Sequence, residues 1–143
     1  MPDNNHLLKL YRLNDSEICL RVAQFLQDTE AHPQSNGIAL AVVGTDGELI
    51  AFGAHARCPP LPRQLAQRKA WSALRFRRAT ARLKSEVEAG TLRLDAFHDP
   101  LLLAMPGGAP VLVEGMAIAG VGVSGLPPAA DAEMVERFIA TLF

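Results

Sequence analysis

The glycine-rich stretch from Met105 to Gly125 constrains the fold of this chain more than any other part of the sequence. Two strand-like runs within it, 109–114 and 116–123, are separated by a single glycine, which predicts a tight antiparallel hairpin. Strands normally avoid glycine, because it has no side chain to pack and costs backbone entropy. Gly120 and Gly122 therefore leave one strip of the second strand bare. Either a helix or a flat ligand is expected to approach this backbone closely.

The other elements are predicted from hydrophobic spacing, turn residues and caps. Helices are predicted at 15–30, 63–78, 80–89 and from 131 onward, with Asn14 or Asp15 capping the first and Thr80 the third. Further strands are predicted at 38–43, 48–52 and 101–105, the first two joined by a turn containing Asp46-Gly47. This order predicts an α+β fold in which a five-stranded antiparallel sheet is flanked by helices.

Composition limits the class of protein. A length of 143 residues with 49% hydrophobic and 20% charged residues predicts one globular domain over 1–143, preceded by a loose polar arm at 1–13. The net charge of −1 gives the whole molecule no general attraction for nucleic acid. We expect no membrane association, because no signal peptide and no apolar run of membrane-spanning length is present. Two cysteines are too few for a disulfide framework and indicate a cytoplasmic location.

Four stretches, in this order and spacing, resemble the GlcG/HbpS family of small haem-binding proteins, which are related to the C-terminal domain of PduO-type corrinoid adenosyltransferases. They are Ala39–Phe52, Ala66–Ala73, Gly107–Val111 and Gly115–Gly125. The resemblance implies a profilin-like fold with a five-stranded sheet, assembly into homo-oligomers, and haem or a corrinoid as a possible ligand.

The chain departs from the family pattern at one rim. Where the family has a segment like Arg-Met-Asp-Gly after the second strand, this chain has Gly-Ala-His-Ala-Arg at 53–57. Gln64 also replaces the acid that precedes the family's lysine. A histidine and an arginine therefore stand where carboxylates are expected, and the specificity for a ligand stays open.

Lys69 matches the family's lysine and lies in an otherwise apolar helical stretch. A partly buried lysine can bind an anion, or act as a base if burial lowers its pKa. The alternative is a lysine that extends to solvent over a packed stem. A ligand pocket is predicted between this helix and the stiff turn that contains two glycines. The predicted ligand-binding residues are Lys69, Ser72, Gly107, Gly108, Pro110 and Ser124.

Haem iron requires an axial ligand such as His or Cys. His55 and Cys58 lie near the rim that departs from the family pattern, and His98 precedes an aspartate that could orient it. These three are the candidate iron ligands, whereas His6 and His32 lie in loose polar surroundings and are weaker candidates. No spacing typical of a zinc site occurs.

The segment 63–84 contains eight of the fourteen basic residues and no acid. Such a segment predicts either a face that binds anions or a face that pairs with acids of a neighbouring subunit. Three functions remain open. The first is a binding protein for haem or a related tetrapyrrole, the second a cofactor-free lyase or isomerase that uses Lys69 on a small anionic metabolite, and the third a structural oligomer.

Overall fold

A computed structural model describes residues 14–143, in which helices and strands follow the order expected for an α+β protein. The helices are α1 (Asp15–Thr29), α2 (Pro60–Phe76), α3 (Thr80–Glu88) and α4 (Pro128–Ala140), with a short 3-10 turn at Leu94–Phe97. The strands are β1 (Ala39–Gly44), β2 (Leu49–Ala54), β3 (Gly108–Val113) and β4 (Met116–Ser124). The predicted arm at 1–13 lies outside the described residues, and the single domain over 1–143 stays a prediction.

The strands form one antiparallel sheet in the order β2-β1-β4-β3. The hairpin predicted from the glycine-rich stretch is confirmed as β3 and β4. Its two turn residues, Glu114 and Gly115, have φ values of 52° and 80°. A two-residue turn with two positive φ angles matches the twist of the strands that it joins. The β1–β2 hairpin is confirmed as well.

The prediction of five strands is wrong for the described residues, since the sheet has four. The segment 101–105, predicted as a strand, is a loop that runs along α2. Its polar groups bond to helix side chains: the Leu102 carbonyl accepts from Arg68, and the Leu103 N–H donates to Ser72 Oγ. A short apolar run alone cannot distinguish a strand from such a docked loop. The profilin-like assignment stays a prediction.

Helices cover both faces of the sheet. In β1, Leu40 and Val42 point to the face under α1 and α4, whereas Ala39 and Ala41 point to the face under α2. The larger apolar cluster lies under α1 and α4 and includes Phe25 and Phe138. The cluster under α2 consists mainly of alanines, so α2 lies closer to the strands.

Helix α2 fills the bare strip predicted at Gly120 and Gly122. A side-chain carbon at Gly120 would lie 2.1 Å from the Ala70 carbonyl oxygen, and one at Gly122 would lie 2.0 Å from that of Ala66. Backbone of α2 therefore lies directly on backbone of β4, and only glycine permits this approach. Of the two interpretations left open by the sequence, the helix contact is the one that the structure has.

Most predicted helix ends are close to the observed ones. Of the two predicted caps, Asn14 is the one that caps α1, by accepting the Glu17 N–H at 3.0 Å. Helices α2 and α4 begin earlier than predicted, at Pro60 and Pro128, because proline is well tolerated in the first turn. The predicted cap at Thr80 is wrong, since its hydroxyl bonds to β3 instead.

Candidate functional site

Lys69 and Asp131 form a buried ion pair at one end of the sheet. Lys69 is 1% exposed, so it does not extend to solvent. Its ammonium nitrogen donates to the Val123 carbonyl and to Asp131 Oδ2, each at 3.1 Å. Asp131 Oδ1 accepts the Leu126 N–H at 3.0 Å. Because α2 and α4 lie on opposite faces, the pair ties the two helix layers together.

Burial shifts both pKa values toward the neutral forms. It lowers the pKa of Lys69 and raises the pKa of Asp131 to about 6, while the mutual attraction of the two charges opposes each shift. A carboxyl group with a pKa of about 6 could exchange a proton with a bound molecule near neutral pH. Neither residue, however, lines the groove or the cavities described below.

The glycine turn lies in direct contact with Lys69, where a pocket between the two was predicted. A side-chain carbon at Gly107 would lie 2.9 Å from the Lys69 ammonium nitrogen, and one at Gly108 would lie 2.4 Å from the Lys69 carbonyl oxygen. The Gly108 N–H donates to Thr80 Oγ1 at 2.8 Å. Protein atoms therefore occupy the junction where the sequence predicted a pocket.

The other three predicted ligand residues serve the scaffold in different ways. Ser72 is buried, and its hydroxyl donates to the Arg68 carbonyl and accepts the Leu103 N–H, each at 2.8 Å. Pro110 lies in the edge strand β3, where its missing N–H does no harm. Ser124 is buried at the end of β4 and pairs with Ala39 of β1.

His55, a predicted iron ligand, is 3% exposed, and both of its ring nitrogens are engaged. Nδ1 accepts the Ile38 N–H at 3.0 Å, which requires Nε2 to carry the proton of the neutral ring. Nε2 then donates to the Leu26 carbonyl at 2.9 Å. His55 thus connects the residue before β1, helix α1 and the segment after β2, and binding of iron to it would break one of these bonds.

The Cys58 N–H donates to the His55 carbonyl at 2.9 Å, whereas His98 follows the 3-10 turn at Leu94–Phe97. Cys58 is buried beside the start of α2, and burial raises the pKa of its thiol. His98 is exposed in a left-handed turn, and the neighbouring Asp99 bonds instead to Trp71 Nε1 and the Leu101 N–H. Among residues 14–143, no three His, Cys, Asp or Glu side chains lie close enough together to hold a metal ion.

A groove of about 460 Å³ lies between α1 and α4 on the face opposite α2. Its floor is apolar and includes Phe25, Met134 and Phe138. The rings of Phe25 and Phe138 meet edge to face, with their centroids 5.7 Å apart. The spacing of these residues is that of any buried helix face, so the groove could not be predicted from the sequence.

Polar and charged side chains surround the apolar floor. Arg21 and Arg137 line the groove from the two helices, and Arg21 donates to the Thr141 carbonyl across it. Asp28 contributes a negative charge, and His32 lies at the C-terminal end of α1. The Nδ1 of His32 accepts the Gln34 N–H at 3.2 Å, and no bond to its Nε2 is present within residues 14–143. A groove of this kind suits a flat apolar molecule with carboxylates at its edge.

The sequence model of the family described as "Haem degrading protein HbpS-like" matches residues 15–140. The protein GlcG of Escherichia coli (strain K12) is 35% identical over 95 residues, which cover 66% of this chain and 69% of GlcG. This chain belongs to the HbpS-like family. The resemblance to GlcG and HbpS found in the sequence is confirmed.

Solved structures share the fold of this HbpS-like chain. A double mutant of Streptomyces reticuli HbpS superimposes with a TM-score of 0.74 at 23% identity, covering 86% of this chain and 82% of that one. A complex of PduOC with haem superimposes with a TM-score of 0.70 at 21% identity, covering 96% and 92%. None of the helices in residues 14–143 is both long and apolar enough to cross a membrane.

Sequence reasoning about this HbpS-like chain found Lys69 but missed Asp131, its partner. The two residues are 62 positions apart, and Asp131 was assigned only to the start of the last helix. One signal was available in the sequence: Asp131 follows Pro-Pro-Ala-Ala at the start of a helix that has an apolar face. The groove residues Arg21 and Arg137 carried no comparable signal.

Proposed function

We propose that this protein binds haem or a related tetrapyrrole in the groove between α1 and α4. The observation that carries the proposal is the apolar floor of Phe25, Met134 and Phe138 beneath cationic side chains from both helices. Membership of the HbpS-like family and the haem complex of PduOC, a protein of the same fold, support this class of ligand. This site replaces the predicted pocket at Lys69, which protein atoms fill.

The size and charge of the groove agree with an amphipathic ligand. Its volume of about 460 Å³ falls within the range of small-molecule sites. A porphyrin ring would cover the aromatic floor, and its propionates would meet Arg21 and Arg137. Asp28, also at the groove, disfavours a ligand that places a carboxylate beside it, so the propionates are expected at Arg21 and Arg137 instead.

Titration of the purified protein with haemin, followed by the Soret band, tests the proposal. We expect a saturable spectral change, and Arg137→Gln should weaken haemin binding about three- to tenfold through loss of one exposed charge contact. Arg82→Gln is the matched control, because Arg82 is an exposed arginine on α3, away from the groove. Equal affinities for the two variants, or no spectral change at all, would contradict the proposed groove.

The iron ligand can be identified in the same assay. His32 is the histidine that lines the groove, so His32→Ala should shift the Soret band of the complex. His55, Cys58 and His98 stay the ligands predicted from the sequence, and His55→Ala with Cys58→Ser tests the first two.

A parallel titration with cobalamin separates haem from a corrinoid. If the Soret band of the complex disappears over time, the protein also degrades the haem that it binds.

A cofactor-free lyase or isomerase is the second candidate, favoured by the shifted pKa values of Lys69 and Asp131. In that case the amine of Lys69 would act as the base on an anionic metabolite after α4 or the Gly107–Gly108 turn moves away. Activity lost in Lys69→Met, in a variant that still binds haemin, would support an enzyme. The predicted homo-oligomer, cytoplasmic location and lack of a nucleic-acid partner stay part of this proposal.

A further inference from the structure

The groove between α1 and α4 has ends of opposite charge. Arg21 of α1 donates to the Thr141 carbonyl just after α4, and the ring of Phe25 meets that of Phe138. A step forward along α1 is therefore a step backward along α4, so the two helices cross antiparallel. Asp28 follows Arg21 two turns later, about 10 Å along the helix axis. The groove thus has a cation at one end and an acid at the other.

The backbone of α1 adds to the negative charge at the Asp28 end. Asp28 lies in the last turn of α1, where the carbonyl groups of a helix already create a negative potential. No basic residue lies in that turn, and Asp28 forms no ion pair within residues 14–143. The charge of Asp28 therefore does not stabilise its own helix. A residue that opposes the local preference of its element points to a functional role.

The opposite end of the groove has donors available for carboxylates. The guanidinium of Arg21 has several N–H donors, and the bond to the Thr141 carbonyl uses only one nitrogen. Arg137, one turn before Thr141 on α4, adds a second cation. Neither arginine forms an ion pair within residues 14–143. Two carboxylates on one edge of a ligand therefore have two cationic partners here, whereas a carboxylate at the other end meets Asp28.

We propose that Asp28 is a specificity-determining residue, which selects tetrapyrroles that have carboxylates on one edge only. This inference rests on the proposed function and adds the direction in which the ligand lies. The propionates point toward Arg21 and Arg137, and the apolar edge lies toward Asp28. A tetrapyrrole with carboxylates around its whole rim would place one of them beside Asp28, and this pair of like charges would weaken its binding. Asp28 is exposed, so it stays hydrated beside an apolar edge.

Haemin and iron(III) coproporphyrin III test this selection in the same Soret assay. The two molecules share the ring and the iron, so iron ligation contributes equally to both. Coproporphyrin III has propionates in the two positions where haem has vinyl groups. We expect the wild type to prefer haemin. In Asp28→Asn this preference should fall about three- to fivefold, the effect of one exposed charge pair, while the affinity for haemin itself stays close to that of the wild type.

The variants at Asp28 are expected to fold. Asp28→Asn keeps the oxygen that accepts from Gln24 at 2.8 Å and removes an unfavourable charge from the end of α1. Asp28→Lys reverses the charge and should reduce the preference for haemin further. Asp15→Asn is the matched control, because it removes the same charge from α1 at a residue outside the groove, and its preference should equal that of the wild type.

The possible outcomes separate this inference from the proposed function. An unchanged preference in both Asp28 variants, or an equal fall in Asp15→Asn, would overturn the role of Asp28 and leave the haem groove in place. A wild type that binds neither iron porphyrin would overturn the proposed function and the role of Asp28 together.

Discussion

At the scale of single residues, the burial of Lys69 and Asp131 as an ion pair carries a desolvation cost. Both side chains leave water almost completely, and each is stabilised by the other and by backbone groups of Val123 and Leu126. The desolvation of such a pair can equal or exceed its attraction, so its presence is weak evidence for stability. Removing one partner is different, because it leaves an uncompensated buried charge.

The raised pKa of Asp131 predicts a specific dependence of stability on pH. The pKa of Asp131 is about 6 in the folded protein, whereas an ordinary aspartate has a pKa near 3.9. Between about pH 4 and pH 6, Asp131 is therefore protonated in the folded state and ionised in the unfolded state. Its contribution to stability is therefore full below about pH 4 and is lost as the pH rises to about 6. We expect a loss of about 2–3 kcal/mol in the free energy of unfolding over this window.

Asp131→Asn removes the titrating group and is the reference for this measurement. Urea unfolding at several values between about pH 4 and pH 6 should show the wild type losing stability relative to the variant as pH rises. A relative gain over the same window would mean that the folded state favours the carboxylate, contrary to the burial of this group.

At the scale of elements, the contact of α2 with β4 determines the shape of this face of the molecule. Alanines of α2 meet the glycine strip of β4, so the two backbones are closer than ordinary side chains permit. The same closeness fills the space beside Gly107 and Gly108, so the cavities of about 330 and 140 Å³ on this side lie at the margins of α2.

Gly122→Ala should destabilise the protein strongly, because the new methyl group would lie 2.0 Å from the Ala66 carbonyl oxygen and α2 would have to move off the sheet. We expect a loss of about 3 kcal/mol in unfolding free energy, typical of overpacking against backbone. Gly53→Ala is the matched control, since its methyl group would meet the flexible end of Leu26 at 2.6 Å. Its loss should be clearly smaller, and equal losses would show that α2 adapts easily.

At the scale of the whole molecule, several basic residues of segment 63–84 form ion pairs with acids that follow this segment. Arg78 and Arg82 pair with Glu86, and Lys84 pairs with Glu88, all within or next to α3. Arg75 and Arg77 form no ion pair within residues 14–143. They line a cavity of about 330 Å³ together with the exposed Met116 at the hairpin end of the sheet.

We expect this end of the molecule to contact acids of another copy in a homo-oligomer. Sedimentation at micromolar concentration should give a mass that is a multiple of 15.4 kDa. Arg75→Glu combined with Arg77→Glu should lower that mass by repelling the acids of the neighbouring subunit. Arg82→Glu is the control and should leave the mass unchanged. A wild type that sediments only as a 15.4 kDa species would contradict the prediction.

Local sequence signals identified most elements because their causes are local. The Glu114–Gly115 turn, the Asn14 cap and the hydrophobic stripes of α1 and α4 depend on neighbours within a few positions, and each was predicted. The docked loop at 101–105 was predicted as a strand, because its hydrogen bonds go to Arg68 and Ser72 more than thirty positions away. A pattern of apolar residues carries no information about such distant partners.

The sequence by itself determined the α+β class, the two hairpins, the family and the unusual status of Lys69. Only the tertiary structure decided that α2, not a ligand, covers the glycine strip, and that Lys69 pairs with Asp131. It also decided where space remains, namely in the groove between α1 and α4 and beside Arg68. Local preferences act over a few residues, whereas cavities and buried charge pairs arise from the packing of elements that are distant along the chain.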